Sequence, residues 1–268
     1  MKKEVDKDYV ENVWRTFLTE GIDTEEARQR RIFKMLPATQ RCRFCLAPLQ
    51  GMSTPLIRAI YRKTPSKMNP HLCNACEVFA SEHQGGAEVE LSLLFADVRG
   101  STTLAEDMSP SEFSRLINRF YNVAARIMVN TDALIDKIIG DQVAGMYVPS
   151  LAGQDHVHKA LAAAQQLMHD TGHHSSDGPW VPIGIGIYTG VAFVGSVGKG
   201  SGLSDITVLG DAPNTAARLA SSAKQGEILI SDTAYQKIGM DLGEVEQRSL
   251  ELKGKNQPVT VHVLSNQA

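Results

Sequence analysis

The sequence has little net charge, no internal repeat, no low-complexity tract and no cysteine outside one short region. Its 27 basic and 30 acidic residues leave a formal net charge of −3, which gives no electrostatic reason to expect binding to nucleic acid or to a membrane surface. The N-terminus lacks the charged-then-apolar pattern of a targeting signal. We therefore expect a soluble, cytoplasmic protein with no membrane partner, for which nucleic acid is a poor candidate.

One uncharged stretch, residues 181–198, approaches the length of a membrane span. Its five glycines and its β-branched residues argue against a membrane helix. The stretch instead predicts two buried strands, joined by a turn at Tyr188-Thr189-Gly190.

Changes in composition divide the chain into three segments. Residues 1–36 show the apolar spacing of helices and are predicted to be a helical region, with a break at 21–23. Residues 37–84 contain all four cysteines and five of the eleven prolines, and they are predicted to be a compact metal-binding module with little apolar core. Residues 88–268 alternate between predicted strands and helices, which is typical of an α/β or α+β domain with one main sheet.

Within the third segment, apolar runs and their periodicity predict a definite order of elements. These are a strand ending at Asp97, a helix over 109–129, a hairpin around Gly140-Asp141, a helix over 154–171, two strands around Gly190, a strand over 206–209, a helix over 213–223, a strand over 227–231 and two closing strands.

The cysteines form two C-x-x-C pairs, Cys42/Cys45 and Cys73/Cys76, separated by 27 residues. This spacing indicates a metal site in a cytosolic protein, where disulfides do not persist. Tetrahedral zinc accepts four thiolates, and four filled positions leave no place for water, so the site would be structural. The sequence favours one structural Zn²⁺ over an iron–sulfur centre or four unligated thiols.

Two carboxylates are predicted at strand ends. Asp97 closes the apolar run over 91–96, and Asp141 follows Gly140 in a tight turn between two apolar runs. Magnesium prefers hard oxygen ligands and is usually held by one or two carboxylates together with substrate phosphates. The pair therefore predicts a site for a divalent metal and a polyphosphate.

Two further patterns fit a phosphorylated ligand. The turn after Asp97 contains Gly100, Ser101 and Thr102, whose backbone N–H groups and hydroxyls suit an anion. Asn214 and Arg218 are four residues apart, so a helix places them on one face, where they suit a ribose oxygen and a phosphate. Each pattern alone also fits an ordinary helix cap or a solvated arginine.

Taken together, residues from about 88 to 263 resemble the catalytic domain of class III nucleotide (adenylate/guanylate) cyclases. The resemblance is carried by four motifs in the family's order and spacing: Phe95-Ala96-Asp97-Val98-Arg99-Gly100-Ser101-Thr102, Lys137-x-x-Gly140-Asp141, Thr207-x-x-Gly210-Asp211-x-x-Asn214-x-x-x-Arg218, and Leu252-Lys253-Gly254. It implies an α+β, ferredoxin-like cyclase homology domain with a mainly antiparallel sheet and flanking helices.

The resemblance also implies roles for single residues. Asp97, Asp141 and the Val98 carbonyl would hold two Mg²⁺ or Mn²⁺ ions, Asn214 would orient the ribose, and Arg218 would stabilise charge on the phosphates. Lys253 would bind the polyphosphate, beside the turn at Gly100, Ser101 and Thr102. In this family the metal aspartates come from one protomer and the remaining groups from its partner, which implies a homodimer with two shared sites.

The base-binding positions favour ATP. Lys137 stands where guanylate cyclases of the family carry an acid, and a lysine can donate to adenine N1. Thr207 can accept from adenine N6 but can equally donate to guanine O6. The expected activity is an adenylate cyclase, a phosphorus–oxygen lyase that forms 3′,5′-cyclic AMP and pyrophosphate.

Two alternatives stay open. One is a guanylate cyclase of the same fold. The other is a catalytically weak scaffold whose zinc module mediates protein or nucleic-acid interaction, since the cysteine region is basic. The basic residues in question are Arg41, Arg43, Arg58, Arg62, Lys63 and Lys67.

Overall fold

The computed structural model describes residues 6–20, 24–198, 205–243 and 245–265, apart from the side chains of Thr24, Lys137 and Ile139. The chain forms two compact units. The first takes in the chain up to Val89 with Pro149–Leu151 and Ala192–Leu209, and the second takes in the remainder. These units cross the boundaries expected from composition, because a late segment of the chain joins the N-terminal one. The division at 36/37 and 84/88 stays a prediction.

The described residues form ten helices and ten strands. The helices are α1 (Lys7–Thr19), α2 (Thr24–Met35), α3 (Thr54–Tyr61), α4 (Asn74–Glu82), α5 (Ser101–Asp107), α6 (Pro110–Asn130), α7 (Pro149–Ala152), α8 (His156–Asp170), α9 (Asp211–Ser222) and α10 (Asp232–Ile238). The strands are β1 (Gln40–Arg41), β2 (Pro48–Gln50), β3 (Gly85–Val98), β4 (Leu134–Ile139), β5 (Gln142–Tyr147), β6 (Ile183–Val197), β7 (Asp205–Leu209), β8 (Glu227–Ser231), β9 (Glu246–Leu250) and β10 (Val259–Ser265). No helix of the described ranges is both long and apolar enough to cross a membrane.

The first unit has an aromatic core that α1 and the cysteine module share. Trp14 of α1 is fully buried, and its indole Nε1–H donates to the His83 carbonyl at 2.8 Å. The ring of Phe17 stacks on Phe44 at 4.6 Å between centroids, and Phe79 lies 5.1 Å from Trp14. The helix thus supplies apolar contacts that the cysteine segment was expected to lack.

The main sheet has the strand order β4-β5-β3-β6-β8-β10-β9, and β7 pairs with β6. The pairs β3–β5, β4–β5, β6–β7, β8–β10 and β9–β10 are antiparallel, whereas β6 and β8 are parallel. The expected α+β fold with a mainly antiparallel sheet is confirmed.

Helices cover the sheet in the second unit. The apolar sides of α6 and α8 enclose one large core, and α9 with Leu252 encloses a smaller one. A capping box begins α6, since Ser109 and Glu112 bond to each other's backbone N–H. The predicted helices over 109–129 and 213–223 are therefore confirmed to within two residues, and α10 is an element that the sequence did not predict.

The predicted turn at Tyr188-Thr189-Gly190 is wrong, because β6 runs without interruption through it. The glycines of this strand serve close packing instead. A Cβ at Gly186 would lie 2.5 Å from the backbone nitrogen of Ala220 in α9, a separation that side chains do not tolerate. The predicted helix break at 21–23 lies outside the described residues.

Candidate active site

Two neighbouring strand ends carry the predicted metal-binding carboxylates. Asp97 is the penultimate residue of β3, pairs in register with Gln142 of β5, and is 7 % exposed. Asp141 lies in the turn between β4 and β5, where Gly140 adopts φ +62°. The backbone N–H of Val98 donates to the Asp141 carbonyl at 3.1 Å. The structure thus brings these two segments together, as the sequence predicted.

The guanidinium of Arg99 contacts the Asp97 carboxylate. Its Nη1 also donates to the Ser221 carbonyl at 2.6 Å, at the C-terminal end of α9. Burial lowers the pKa of Arg99, and the charge of Asp141 acts against that lowering. A positive charge is therefore already accommodated beside both acidic residues. Sequence reasoning did not assign Arg99 a role, although it lies inside the first motif.

The glycine turn follows directly. Gly100 adopts φ +65° and precedes α5, while Ser101 is half-buried and Thr102 is exposed. A Cβ at Gly100 would meet nothing within 4 Å. Glycine is therefore favoured at this position by its positive φ and not by crowding. The space beside Gly100 is therefore open.

A second group of predicted residues meets at α9. Asn214 is exposed and Arg218, one turn later, is partly buried. The Arg218 guanidinium lies against Gly254, where an added Cβ would be 3.3 Å from Nη2. Exposed Lys253 immediately precedes this glycine. The Leu252-Lys253-Gly254 motif and the helix motif are therefore adjacent in space.

Lys255 strengthens this contact, because its ammonium pairs with the Asp211 carboxylate at the start of α9. Tyr121 similarly donates its hydroxyl hydrogen bond to the Gly140 carbonyl in the β4–β5 turn. Sequence reasoning missed both residues. Neither carries a local pattern that distinguishes it from an ordinary surface lysine or core tyrosine.

The two predicted base-binding residues are placed differently. Thr207 lies in β7 opposite Gly195 of β6 and is 7 % exposed. Lys137 lies in β4, where its backbone is in register with Ala144, and its side chain is outside the part of the chain that the structure describes.

The four cysteines of the first unit converge on one point. Their Sγ atoms all lie within 4.8 Å of one another, and the Sγ atoms of Cys45 and Cys73 are 3.6 Å apart. Cys42 also accepts a hydrogen bond from the Cys73 backbone N–H at 3.3 Å. This cluster can hold a metal ion, in agreement with the spacing of the pairs.

The four thiols of the cluster differ in acidity. Hydrogen bonding with Cys42 raises the pKa of Cys45 and of Cys76, which favours their protonated forms. Hydrogen bonds from Cys42 and the other two thiols hold the pKa of Cys73 well below the ordinary value. Burial of Lys63 disfavours its charge, yet the negative charges of the cysteines raise its pKa. Lys63 thus acts as a counter-charge to the sulfur cluster.

The family model described as the adenylate and guanylate cyclase catalytic domain matches residues 85–266. An adenylate cyclase of Anabaena cylindrica is 28 % identical over 182 residues, which are 64 % of this chain and 36 % of that protein. The chain spans between 8 % and 37 % of the length of the first curated relatives it matches.

Two solved structures are similar in fold. The guanylyl cyclase Cya2 has a TM-score of 0.60 at 25 % identity, covering 67 % of this chain and 93 % of its own. The adenylyl cyclase CyaB from P. aeruginosa has a TM-score of 0.57 at 28 % identity, and the match covers 67 % of this chain and 96 % of that one.

Proposed function

Because this chain belongs to the adenylate and guanylate cyclase catalytic domain family, we propose that it is an adenylate cyclase, which converts ATP to 3′,5′-cyclic AMP and pyrophosphate in the cytoplasm. The observation that carries the proposal is the adjacency of Asp97 and Asp141 through the Val98–Asp141 backbone bond. It is supported by the adjacency of Arg218 and the turn that contains Lys253.

The donor set at the strand ends fits hard divalent cations. Two carboxylates and the Val98 carbonyl are oxygen ligands, and the Arg99 contact indicates that positive charge is stabilised there. Two Mg²⁺ or Mn²⁺ ions bound by Asp97, Asp141 and Val98 would acidify the ribose 3′-hydroxyl and neutralise the triphosphate.

The reaction joins the ribose 3′-oxygen to the α-phosphorus and releases pyrophosphate. Negative charge grows on the phosphate oxygens, and Arg218, whose guanidinium lies against Gly254, stabilises that charge. Asn214 orients the ribose from the same helix face, and Lys253 binds the polyphosphate. The backbone and hydroxyls of Gly100, Ser101 and Thr102 line the phosphate side of the site.

Each site draws on two copies of the chain. Asp97 and Asp141 would come from one protomer, and Asn214, Arg218 and Lys253 from its partner. The two sets lie on separate elements, β3 with the β4–β5 turn and α9 with the turn at 252–255, which suits a shared arrangement.

Lys137 and Thr207 support ATP as the substrate. The lysine donates to adenine N1, and the threonine hydroxyl accepts from adenine N6. Since threonine also serves guanine O6, discrimination would rest mainly on Lys137. The alternative, a guanylate cyclase, is favoured by the likeness to Cya2.

The four-cysteine cluster would hold one structural Zn²⁺. Four thiolates within 4.8 Å of one another fill a tetrahedral shell and leave no position for water. An iron–sulfur cluster would need the same ligands, so metal analysis and the absorption spectrum distinguish them.

The decisive experiment incubates the purified full chain with ATP or GTP and Mn²⁺ or Mg²⁺ and identifies the product by mass. Cyclic AMP at a higher kcat/KM than cyclic GMP is expected, and Arg218→Ala should abolish it. Lys224→Ala, at an exposed lysine, is the matched control and should be active. A preference for GTP would favour the guanylate cyclase, and no product from either nucleotide would favour the scaffold.

A further inference from the structure

The segment between the two cysteine pairs reaches β7 through a side-chain hydrogen bond. The Asn69 amide Nδ2 donates to Asp205 Oδ1 at 3.3 Å, across 136 residues of sequence. Asp205 is the first residue of β7, and Thr207 lies two residues later. The bond therefore connects the cysteine module to the strand that carries a base-binding candidate.

The module itself fixes the position of Asn69, which is 8 % exposed. The Asn69 Oδ1 accepts from the His71 backbone N–H at 2.9 Å, and the Asn69 backbone N–H donates to Ser66 Oγ at 3.1 Å. The His71 carbonyl in turn accepts from the Arg43 N–H at 2.9 Å, and Arg43 follows Cys42. Asn69 is thus held by Ser66 and His71, and His71 is bonded in turn to the first C-x-x-C turn.

β7 pairs with β6 along its length. Thr207 is opposite Gly195 of β6. A Cβ at Gly195 would lie 2.5 Å from the Cα of Gly86 in β3, so the backbones of β6 and β3 are in close contact at this point. At the start of the strand, Asp205 Oδ1 accepts both from Asn69 and from the Ile206 N–H at 3.0 Å. One oxygen of Asp205 is therefore bonded both to the module and to the β7 backbone.

We propose that Asn69 is a positioning residue that fixes β7 through Asp205, so that the four-cysteine module sets how strictly the site selects its nucleotide base. The proposal rests on the proposed function, in which Thr207 contacts that base. Thr207 is a short side chain, and a hydrogen bond to a base edge requires its hydroxyl to be placed within a few tenths of an ångström. Loosening the start of β7 therefore weakens base selection while Asp97 and Asp141 keep their place.

The structural part of the proposal is tested without any catalysis, by hydrogen exchange of the β7 amides in the full chain. Asn69→Asp places a carboxylate against Asp205 and removes the hydrogen bond between the two side chains. Amide exchange over 206–209 should therefore become about three- to tenfold faster, the effect expected from losing one hydrogen bond. Adding Asp205→Asn supplies an amide donor at position 205, opposite the carboxylate now at position 69. The hydrogen bond can then form in the reverse direction, so exchange in the double variant should return towards the wild-type rate. Unchanged exchange in Asn69→Asp would overturn the proposal even if the protein is an active cyclase.

The functional part is read from the ratio of kcat/KM for ATP and GTP. Asn69→Asp should lower this ratio by about three- to tenfold, mainly through the KM for ATP, and the double variant should recover it. Gln236→Ala, which removes an amide–carboxylate hydrogen bond of 2.7 Å to Asp232, is the matched control and should leave the ratio unchanged.

An inactive wild-type protein would contradict the proposed function and leave the exchange result to decide on the Asn69–Asp205 coupling. An active protein whose ratio is the same in all variants would overturn the role in base selection.

Discussion

The backbone N–H of Val98 and the carbonyl oxygen of Asp141 are joined by a hydrogen bond of 3.1 Å. Asp97 precedes Val98 directly, so this bond sets the spacing of the two carboxylates without using either side chain. An exchange of either carboxylate for an amide leaves both partners of this backbone bond in place, although at Asp97 it also removes the charge that faces Arg99.

Asp97→Asn should lower kcat/KM by at least about 100-fold, because removing a metal-binding charge costs several kcal/mol of transition-state stabilisation. Mn²⁺ binding, followed by electron paramagnetic resonance at a temperature where the variant is folded, should weaken in parallel. Asp107→Asn, at an exposed carboxylate in α5, is the control and should change neither quantity. Unaltered Mn²⁺ binding by the Asp97 variant would exclude this residue as a ligand.

Mixing two inactive variants tests whether sites are shared between protomers. Asp141→Asn and Arg218→Ala should each be inactive alone. In a heterodimer, one site keeps both native residues and the other has neither, so a random equimolar mixture should regain about a quarter of wild-type activity. Mass spectrometry verifies that heterodimers have formed. Heterodimers without activity would mean that each site uses residues of one chain.

Lys63→Gln should speed the transfer of zinc to a chromogenic chelator by about fivefold, because it removes a half-buried positive charge beside four thiolates. Lys67→Gln, at an exposed lysine of the same module, provides the control. Equal transfer rates for both variants would show that Lys63 does not stabilise the sulfur cluster electrostatically.

His156 should make stability depend on pH. Burial lowers its pKa below 6.5, and its Nδ1 lies 2.8 Å from Ser92 Oγ in the core. Above pH 6.5 both folded and unfolded chains hold the ring neutral, so its contribution is fully present there. As the pH falls below 6.5, His156 takes up a proton in the unfolded chain before it does so in the folded one. The free energy of unfolding then decreases by at most about 1.4 kcal/mol per pH unit, until the pH passes the pKa of His156 in the folded chain.

Urea unfolding between pH 8 and pH 5 measures this slope. His156→Gln should reduce the slope without abolishing it, because burial also lowers the pKa of His71 and of His173. The same exchange at exposed His169 should reduce it less. A slope as steep in the His156 variant as in the wild type would assign the pH dependence to other groups.

The local features of the site were readable from sequence because each rests on short-range chemistry. The glycine of the β4–β5 turn needs a positive φ, and the helix spacing of Asn214 and Arg218 needs only four consecutive residues. The C-x-x-C spacing likewise predicted a convergence of thiols, and the structure has it.

Contacts between distant segments could not be predicted in this way. Gly186 looked like part of a strand–turn–strand signal, yet its lack of a side chain serves the approach of α9, which no local pattern reveals. Trp14 looked like one apolar position of a helix, whereas it completes the core of a module that begins two dozen residues later. Arg99 shows its role only once the end of α9 is placed beside it.

The chain contains only two tryptophans, and their surroundings differ sharply. Trp14 is fully enclosed by aromatic rings of the first unit, whereas Trp180, in the second unit, lies 3.9 Å beneath the guanidinium of Arg119. Each unit therefore carries its own fluorophore. Replacing Trp180 by phenylalanine would leave emission from Trp14 alone, and a red shift of that emission during chelation would mark the moment at which the cysteine module admits water.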